Sequence, residues 1–355
     1  MKVGVLTWFF AYNYGARAHS YALQQVIQDL GHECELITYY PDHYIRENIF
    51  MNLNFSNIKT HPILIVKSLI RCFKFRMTDG IYKRSSRVKT VSEIEGLGYD
   101  LIILGSDEVF KIGHPYFKKV YYGVGIQEVP MMSYAPSAGQ TDVMTKLPDD
   151  IVKSLYCLEK VTVRDVHTRQ LIYNNTDIQP EIVLDPTMLF DFKGISKSLH
   201  EKNYILIYSF DELNTYTDRI REYAKVKNFK IIAIGRYCAW ADKSYNAISF
   251  NNWLGAFTHA SLVITDSFHG TVFAIKNKID FVIIGRVDKL NKINDLLEML
   301  DIKMEFYNPT ISIEQYVRNG LDYNRIDHVL NSKKQISIEI INRVIKNLEL
   351  KGKTK

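Results

Sequence analysis

No stretch of this sequence approaches about eighteen uninterrupted apolar residues, the run that a membrane-crossing helix requires. The four cysteines, Cys34, Cys72, Cys157 and Cys238, stand far apart. They form neither a CxxC pair nor a Cys/His cluster, which argues against a disulfide framework and against a zinc site. Also missing are a P-loop, an HExxH helix, a GxSxG elbow and an EF-hand loop. The chain therefore offers no motif for nucleotide hydrolysis, zinc proteolysis, serine esterase chemistry or calcium binding. The N-terminal MKVGVLTWFF has too short an apolar region for a secretory leader and no small-residue cleavage site, so it reads as a first buried strand. A cytoplasmic protein with no metal and no nucleic-acid partner is the expectation.

What is present is ordinary globular material, 46% hydrophobic and 24% charged over 355 residues. That length exceeds one hydrophobic core and implies two domains. The net charge of +6 is unevenly spread. Lys67, Arg71, Lys74, Arg76, Lys83, Arg84, Arg87 and Lys89 follow one another with Asp79 as the single acid, beside the apolar Ile63 to Val66, Phe73 and Phe75. Two readings stand. The segment is a solvated helix with a basic outer face, or Lys67–Lys89 is a surface for anionic lipid head groups or a pyrophosphate-linked acceptor at the inner face of a membrane.

Short, continuous apolar runs at residues 2–7, 33–39, 100–104, 129–135, 161–164 and 181–184 alternate with helical or loop stretches, and the pattern restarts at 203–210, 230–235, 261–265 and 280–285. Continuous rather than alternating apolar character predicts strands covered on both faces, as in parallel sheets. The fold expected is α/β, two doubly wound Rossmann-like domains facing a cleft, with a C-terminal helix carrying Ile336, Ile338, Ile341 and Val344 and packing across domains. The division expected is 1–195, 196–325 and a tail at 326–355, with the boundary near Lys193 to Glu201 where Gly, Ser and Lys interrupt the order.

Candidate chemistry gathers where strands end and helices begin. Leu262 to Thr271 reads as a strand ending in polar residues and entering a helix at Gly270, which puts His269 beside free helix N–H groups that attract anions. A histidine there can pass protons near neutral pH; a structural histidine is the bland alternative. Asn13, Tyr14 and Gly15 occupy the equivalent place in the first half, as ligand loop or tight turn. Ser106 and Asp107 close another strand, suited to a sugar hydroxyl or to capping the next helix. Arg164 brings a guanidinium to a strand end, for a phosphate or carboxylate ligand or for pairing with Asp165 or another carboxylate. Asp185-Pro186-Thr187 reads mainly as a strand exit and turn.

These residues, in the order Ala11-Tyr12-Asn13-Tyr14-Gly15-Ala16, Gly105-Ser106-Asp107, Val163-Arg164-Asp165, Leu184-Asp185-Pro186-Thr187 and Thr265-Asp266-Ser267-Phe268-His269-Gly270, resemble the motifs of the polysaccharide pyruvyl transferase family from about residue 1 to about residue 300. The resemblance implies a glycosyltransferase B-like architecture and a transferase that moves the pyruvyl group of phosphoenolpyruvate onto a sugar of a capsule, exopolysaccharide or cell-wall precursor, free or lipid-linked. It implies His269 as acid or base with Asp107 as helper, and Arg164, Lys292, Ser267, Gly270 and Thr271 as phosphoenolpyruvate contacts. Arg286 or Lys289 could replace Lys292. Asn13, Tyr14, Gly15 and Ser106 fall to the acceptor, and no further cofactor is implied. A nucleotide-sugar-dependent glycosyltransferase and a non-catalytic carbohydrate-binding protein are the alternatives on the same architecture.

Overall fold

The computed structural model describes residues 1–42, 44, 62–211, 213–285, 290–318 and 320–353. The chain forms two compact units, one of Met1–Met51, Gly80–Phe190 and Leu330–Lys355, the other of Asn52–Asp79 and Asp191–Val329.

The sheet of the first unit holds β1 (Lys2–Leu6), β2 (Glu33–Tyr39), β3 (Arg84–Val88), β4 (Leu101–Leu104) and β5 (Met131–Ser133), all parallel, in the order β3-β2-β1-β4-β5. A short parallel pair, β6 (Thr162–Val163) and β7 (Glu181–Ile182), continues beyond β5, joined by Ser133 N donating to Lys160 O at 3.0 Å. The second unit repeats the plan with β8 (Tyr204–Tyr208), β9 (Lys230–Ile234), β10 (Lys243–Tyr245), β11 (Ala260–Thr265) and β12 (Phe281–Ile283), ordered β10-β9-β8-β11-β12 and again parallel. The central strands are apolar throughout because both faces are covered: all four residues of β4 are fully buried, as are Tyr204, Ile205 and Leu206 of β8.

Every expected strand is present, and two were not expected. The sequences of β3, Arg-Ser-Ser-Arg-Val, and β10, Lys-Ser-Tyr, contain no apolar run. Both are edge strands with one neighbour and a wet flank, where polar residues guard against pairing with other chains. The expected strand at 129–135 shrinks to Met131–Ser133. Pro130 has no amide to donate before it, and Ala135, at φ +52°, turns the chain after it.

The long final helix, Tyr323–Lys353, corrects a second expectation. Its buried stripe is Ser337, Ile340, Ile341, Val344 and Ile345, while Ile336 is 51% exposed. Positions 337, 340, 341, 344 and 345 keep helical phase, and Ile336 lies one residue, about 100°, outside it. Ser337 Oγ accepts from Leu184 N at 3.1 Å. The helix begins in the second unit and from Leu330 onward belongs to the first.

The basic segment is divided. Arg71 and Lys74 ride on the helix Pro62–Met77, part of the second unit; the side chains of Lys67 and Arg76 lie outside the described residues. Arg84 and Arg87 stand on β3 of the first unit, where Arg87 and the adjoining Lys89 both pair with Asp42, at 2.8 and 2.9 Å. No described helix is long and apolar enough to cross a membrane.

Candidate functional site

In each sheet the strand order reverses once, between β1 and β4 and between β8 and β11, and ligands of open α/β sheets collect outside the carboxyl ends of the strands at such points. In the second unit those ends are 209–211 and 266–271. Asp266, fully buried, accepts from Phe210 N at 2.9 Å and Asp211 N at 2.9 Å, and so ties the two strand ends together. Thr265 Oγ1 donates to Tyr208 O at 2.6 Å and accepts from Ser267 N at 3.1 Å. Ser267 caps the helix Phe268–Lys276, its Oγ accepting from Gly270 N at 3.0 Å. Thr271 Oγ1 donates to Ser267 O at 3.1 Å. Gly270 has no room for a side chain: a Cβ there would run into Thr265 Oγ1 and meet Ser267 Oγ at 2.8 Å.

Of the residues expected here, Ser267, Gly270 and Thr271 are buried and bonded within the motif, and His269 is the partly exposed one, on the second residue of the helix. Lys292, 4% exposed, stands on Leu290–Met299, which packs beside the His269 helix. Arg286 and Lys289 lie outside the described residues.

The switch point of the first unit holds a connected set of polar groups. Thr7 Oγ1, at the end of β1, donates to Ser106 O at 3.0 Å. Beyond β4, Gly105 takes φ +110° with Tyr134 O only 2.7 Å from where a Cβ would stand, and Asp107 takes φ +72°. Asp107 O accepts from Ser137 N at 2.7 Å and Arg164 N donates to Pro136 O at 3.1 Å, so one backbone segment positions both residues.

Arg164 is a buried cation among carboxylates. Its Nη1 donates to Asp185 Oδ2 at 2.8 Å, and its Nη2 lies 3.5 Å from Asp107 Oδ1. Burial alone would lower the pKa of this guanidinium, but Asp185, Asp107 and Asp165 together push it well up. Asp165 caps the helix Val166–Asn175 through Thr168 N at 2.8 Å, and the other Asp185 oxygen accepts from Thr187 N at 2.9 Å. Neither Ser106 nor Asp107 caps the following turn with its side chain. Asn13 does cap, accepting from Ala16 N at 3.2 Å, and Tyr14 and Gly15 are buried in the first turn behind it.

Three residues of these sites were not anticipated: His19, Asp185 as an ion partner, and Asp266. His19 is fully buried, with Nδ1 2.8 Å from Ser106 Oγ and Nε2 3.4 Å from Asp107 Oδ2. Nδ1 and the Ser106 hydroxyl share a hydrogen bond, while the contact of Nε2 with Asp107 is at ion-pair range. Ser106 is fully buried, so the Ser106–His19–Asp107 line ends in an enclosed hydroxyl and not in a nucleophile. Its open end is the Asp107 carboxylate, whose side chain is 19% exposed. A signal existed: the helix Tyr14–Asp29 is buried from Tyr14 through Gln24, so Arg17 and His19 within it are interior titratable groups.

The chain matches the family described as Polysaccharide pyruvyl transferase over residues 13–288. No curated protein sequence is significantly similar. Among solved structures, an S. aureus MnaA-UDP co-structure is 11% identical, covers 98% of this chain and 97% of its own, and superposes with a TM-score of 0.55. UDP-N-acetylglucosamine 2-epimerase from Rickettsia bellii is 13% identical, with coverage of 99% and 97% and a TM-score of 0.52. The Neisseria meningitidis UDP-GlcNAc 2-epimerase bound to UDP-GlcNAc is 9% identical, with coverage of 97% and 100% and a TM-score of 0.53. At such identities the likeness is one of fold, the glycosyltransferase B-like pairing of two parallel α/β sheets.

Proposed function

Because the chain belongs to the polysaccharide pyruvyl transferase family, a family of transferases, we propose that it moves the pyruvyl group of phosphoenolpyruvate onto a sugar of a capsule, exopolysaccharide or cell-wall precursor and closes a cyclic ketal. The observation that carries this reading is the partly exposed His269 on the first turn of the helix that follows β11, the strand at the reversal of the second sheet.

The reaction runs in balanced steps. A proton goes to the methylene carbon of the donor, leaving oxocarbenium character at the neighbouring carbon. A sugar hydroxyl adds there and gives up its proton. Phosphate leaves with the carbon–oxygen bond, and a second hydroxyl of the same sugar adds, losing its proton, to close the ketal. In this reading His269 moves the proton at the donor and Asp107 takes one from the acceptor hydroxyl. Lys292, with Ser267, Gly270 and Thr271 shaping the helix terminus, serves the donor's anionic groups. Arg164, whose guanidinium suits a carboxylate or phosphate, is the further donor contact that the family resemblance assigns. Asn13, Tyr14, Gly15 and Ser106 shape the acceptor side.

Thermal unfolding with millimolar phosphoenolpyruvate tests the donor. A ligand that binds only the folded state raises the melting temperature by mass action, and a hundredfold excess over Kd is worth about 2.7 kcal/mol. The expected result is a rise for the parent and for His269→Ala that Lys292→Ala loses, with UDP and UDP-sugars giving none. A rise with a UDP-sugar and none with phosphoenolpyruvate would replace this reading with nucleotide-sugar transfer.

A further inference from the structure

Two carboxylates of the first unit pair with Arg164, and they are built differently. Asp185 has ordinary backbone angles, φ −55° and ψ 138°, a side chain 0% exposed and a contact of 2.8 Å. Asp107 stands at φ 72° and ψ −163°, a region that in practice only glycine enters, with a side chain 19% exposed and a contact of 3.5 Å. Holding Arg164 explains the first residue and not the second, because the shorter ion pair already stands on unstrained backbone. Strain of this kind persists only where the surroundings impose it, and it gathers at functional sites.

The surroundings of Asp107 do impose it. Its carbonyl accepts from Ser137 N at 2.7 Å, and the residue bridges Pro136 in parallel register. Two different elements approach its carboxylate oxygens: Arg164 Nη2, just after β6, meets Oδ1, and His19 Nε2, on the helix Tyr14–Asp29, lies 3.4 Å from Oδ2. His19 also has a plainer occupation. Its Nδ1 lies 2.8 Å from Ser106 Oγ, and that bond by itself ties the helix to the loop after β4. Such a tie needs one ring nitrogen, which asparagine would supply. A fully buried imidazole whose second nitrogen reaches a partly exposed, strained carboxylate does more: it fixes where that carboxylate points.

We propose that His19 is a positioning residue. It holds the Asp107 carboxylate from the interior, through Nε2 and Oδ2, so that the open side of the carboxylate meets the acceptor hydroxyl and takes its proton as the hydroxyl oxygen bonds to the donor carbon. His19 itself is fully buried and touches neither substrate. The proposal rests on the pyruvyl-transfer reading and deepens it, by naming what sets the geometry of the base on the acceptor side.

The two ring contacts can be removed one at a time. The amide nitrogen of asparagine takes the place of Nδ1 and that of glutamine the place of Nε2, so His19→Asn keeps Ser106 and loses Asp107, and His19→Gln does the reverse. The assay is phosphate release from phosphoenolpyruvate with methyl glycosides of galactose, glucose, mannose and their N-acetylated 2-amino forms, and with the same sugars linked to a prenyl diphosphate. His19→Asn should lower kcat at least about tenfold with the KM for phosphoenolpyruvate unchanged, since a misplacement of about 1 Å can cost about a hundredfold. His19→Gln should restore most of that loss although, without the closer bond to Ser106, it is the less stable of the two in urea. Should neither variant fold, ¹⁵N NMR of the imidazoles carries the test: Asp107→Asn should move the Nε2 resonance of one ring.

A parent that turns over while His19→Asn keeps its kcat, or while the activity of the two variants merely follows their stability, overturns the proposal and leaves pyruvyl transfer standing. Imidazole resonances that Asp107→Asn leaves unmoved overturn it as well. A parent that releases no phosphate with any of these sugars removes the transfer reading and this proposal with it.

Discussion

The Arg164–Asp185 pair makes the sharpest claim on stability. At 2.8 Å and an effective dielectric near 20, the attraction is about 6 kcal/mol, and the 3.5 Å contact with Asp107 adds about 5. Taking the ions out of water offsets several kcal/mol for each, and Arg164 and Asp185 are 3% and 0% exposed at their side chains. The measurable quantity is therefore the cost of breaking the pair. Arg164→Met leaves Asp185 and Asp107 without their cation and is expected to cost about 3–5 kcal/mol. Asp185→Asn keeps an oxygen for Thr187 N but turns an amide N–H₂ toward the guanidinium, a loss of about 2–3 kcal/mol. In the double variant the neutral amide side chain at position 185 no longer needs a cation, so the combined loss falls short of the sum by at least about 1.5 kcal/mol. Urea unfolding of the four proteins at neutral pH gives all these numbers. Additive losses, or a cost for Arg164→Met below about 1 kcal/mol, would mean that the pair is not the buried, coupled contact described.

Two further perturbations follow from local geometry. Gly270→Ala should destabilise by about 1–3 kcal/mol although alanine is the better helix former by about 1, because its Cβ runs into Thr265 Oγ1 and Ser267 Oγ; a gain in melting temperature would contradict that packing. Glu95 accepts from Gln127 N at 2.7 Å and Glu128 N at 2.9 Å, and these amides hold its carboxyl below the usual range. A lowered folded-state pKa stabilises above the unfolded value, about 4.3, and that contribution disappears as pH falls through the lowered value. The parent should therefore exceed Glu95→Gln in urea midpoint at neutral pH and converge with it in acid; a pH-independent gap would refute the assignment.

Both sheets were legible because the information was local. A strand covered on two faces must be apolar at nearly every position, and β1, β4, β8 and β11 announce themselves that way. The edge strands β3 and β10 have no such requirement and were invisible. For the final helix, apolar identity pointed to Ile336, but the buried phase belongs to Ser337, whose hydroxyl is needed by the Leu184 amide. A polar residue inside an apolar stripe carries that information only once its partner, 153 positions away, is in place.

The candidate sites divide along the same line. His269 could be picked out because a strand ending in Thr265-Asp266-Ser267 and a helix opening at Phe268 are readable within about ten residues, and the Ser267 cap is part of that same stretch. The polar set of the first unit joins residues 19, 106, 107, 164 and 185 across separations of 21 to 88 positions, and each member has a sufficient local alternative as cap, turn or helix interior. Asp185 shows why local reading stops short: one of its oxygens does the capping that Asp-Pro-Thr announces, and the other holds Arg164. A carboxylate has two oxygens, so satisfying the local motif leaves the distant contact open, and sequence order alone supplies only the first.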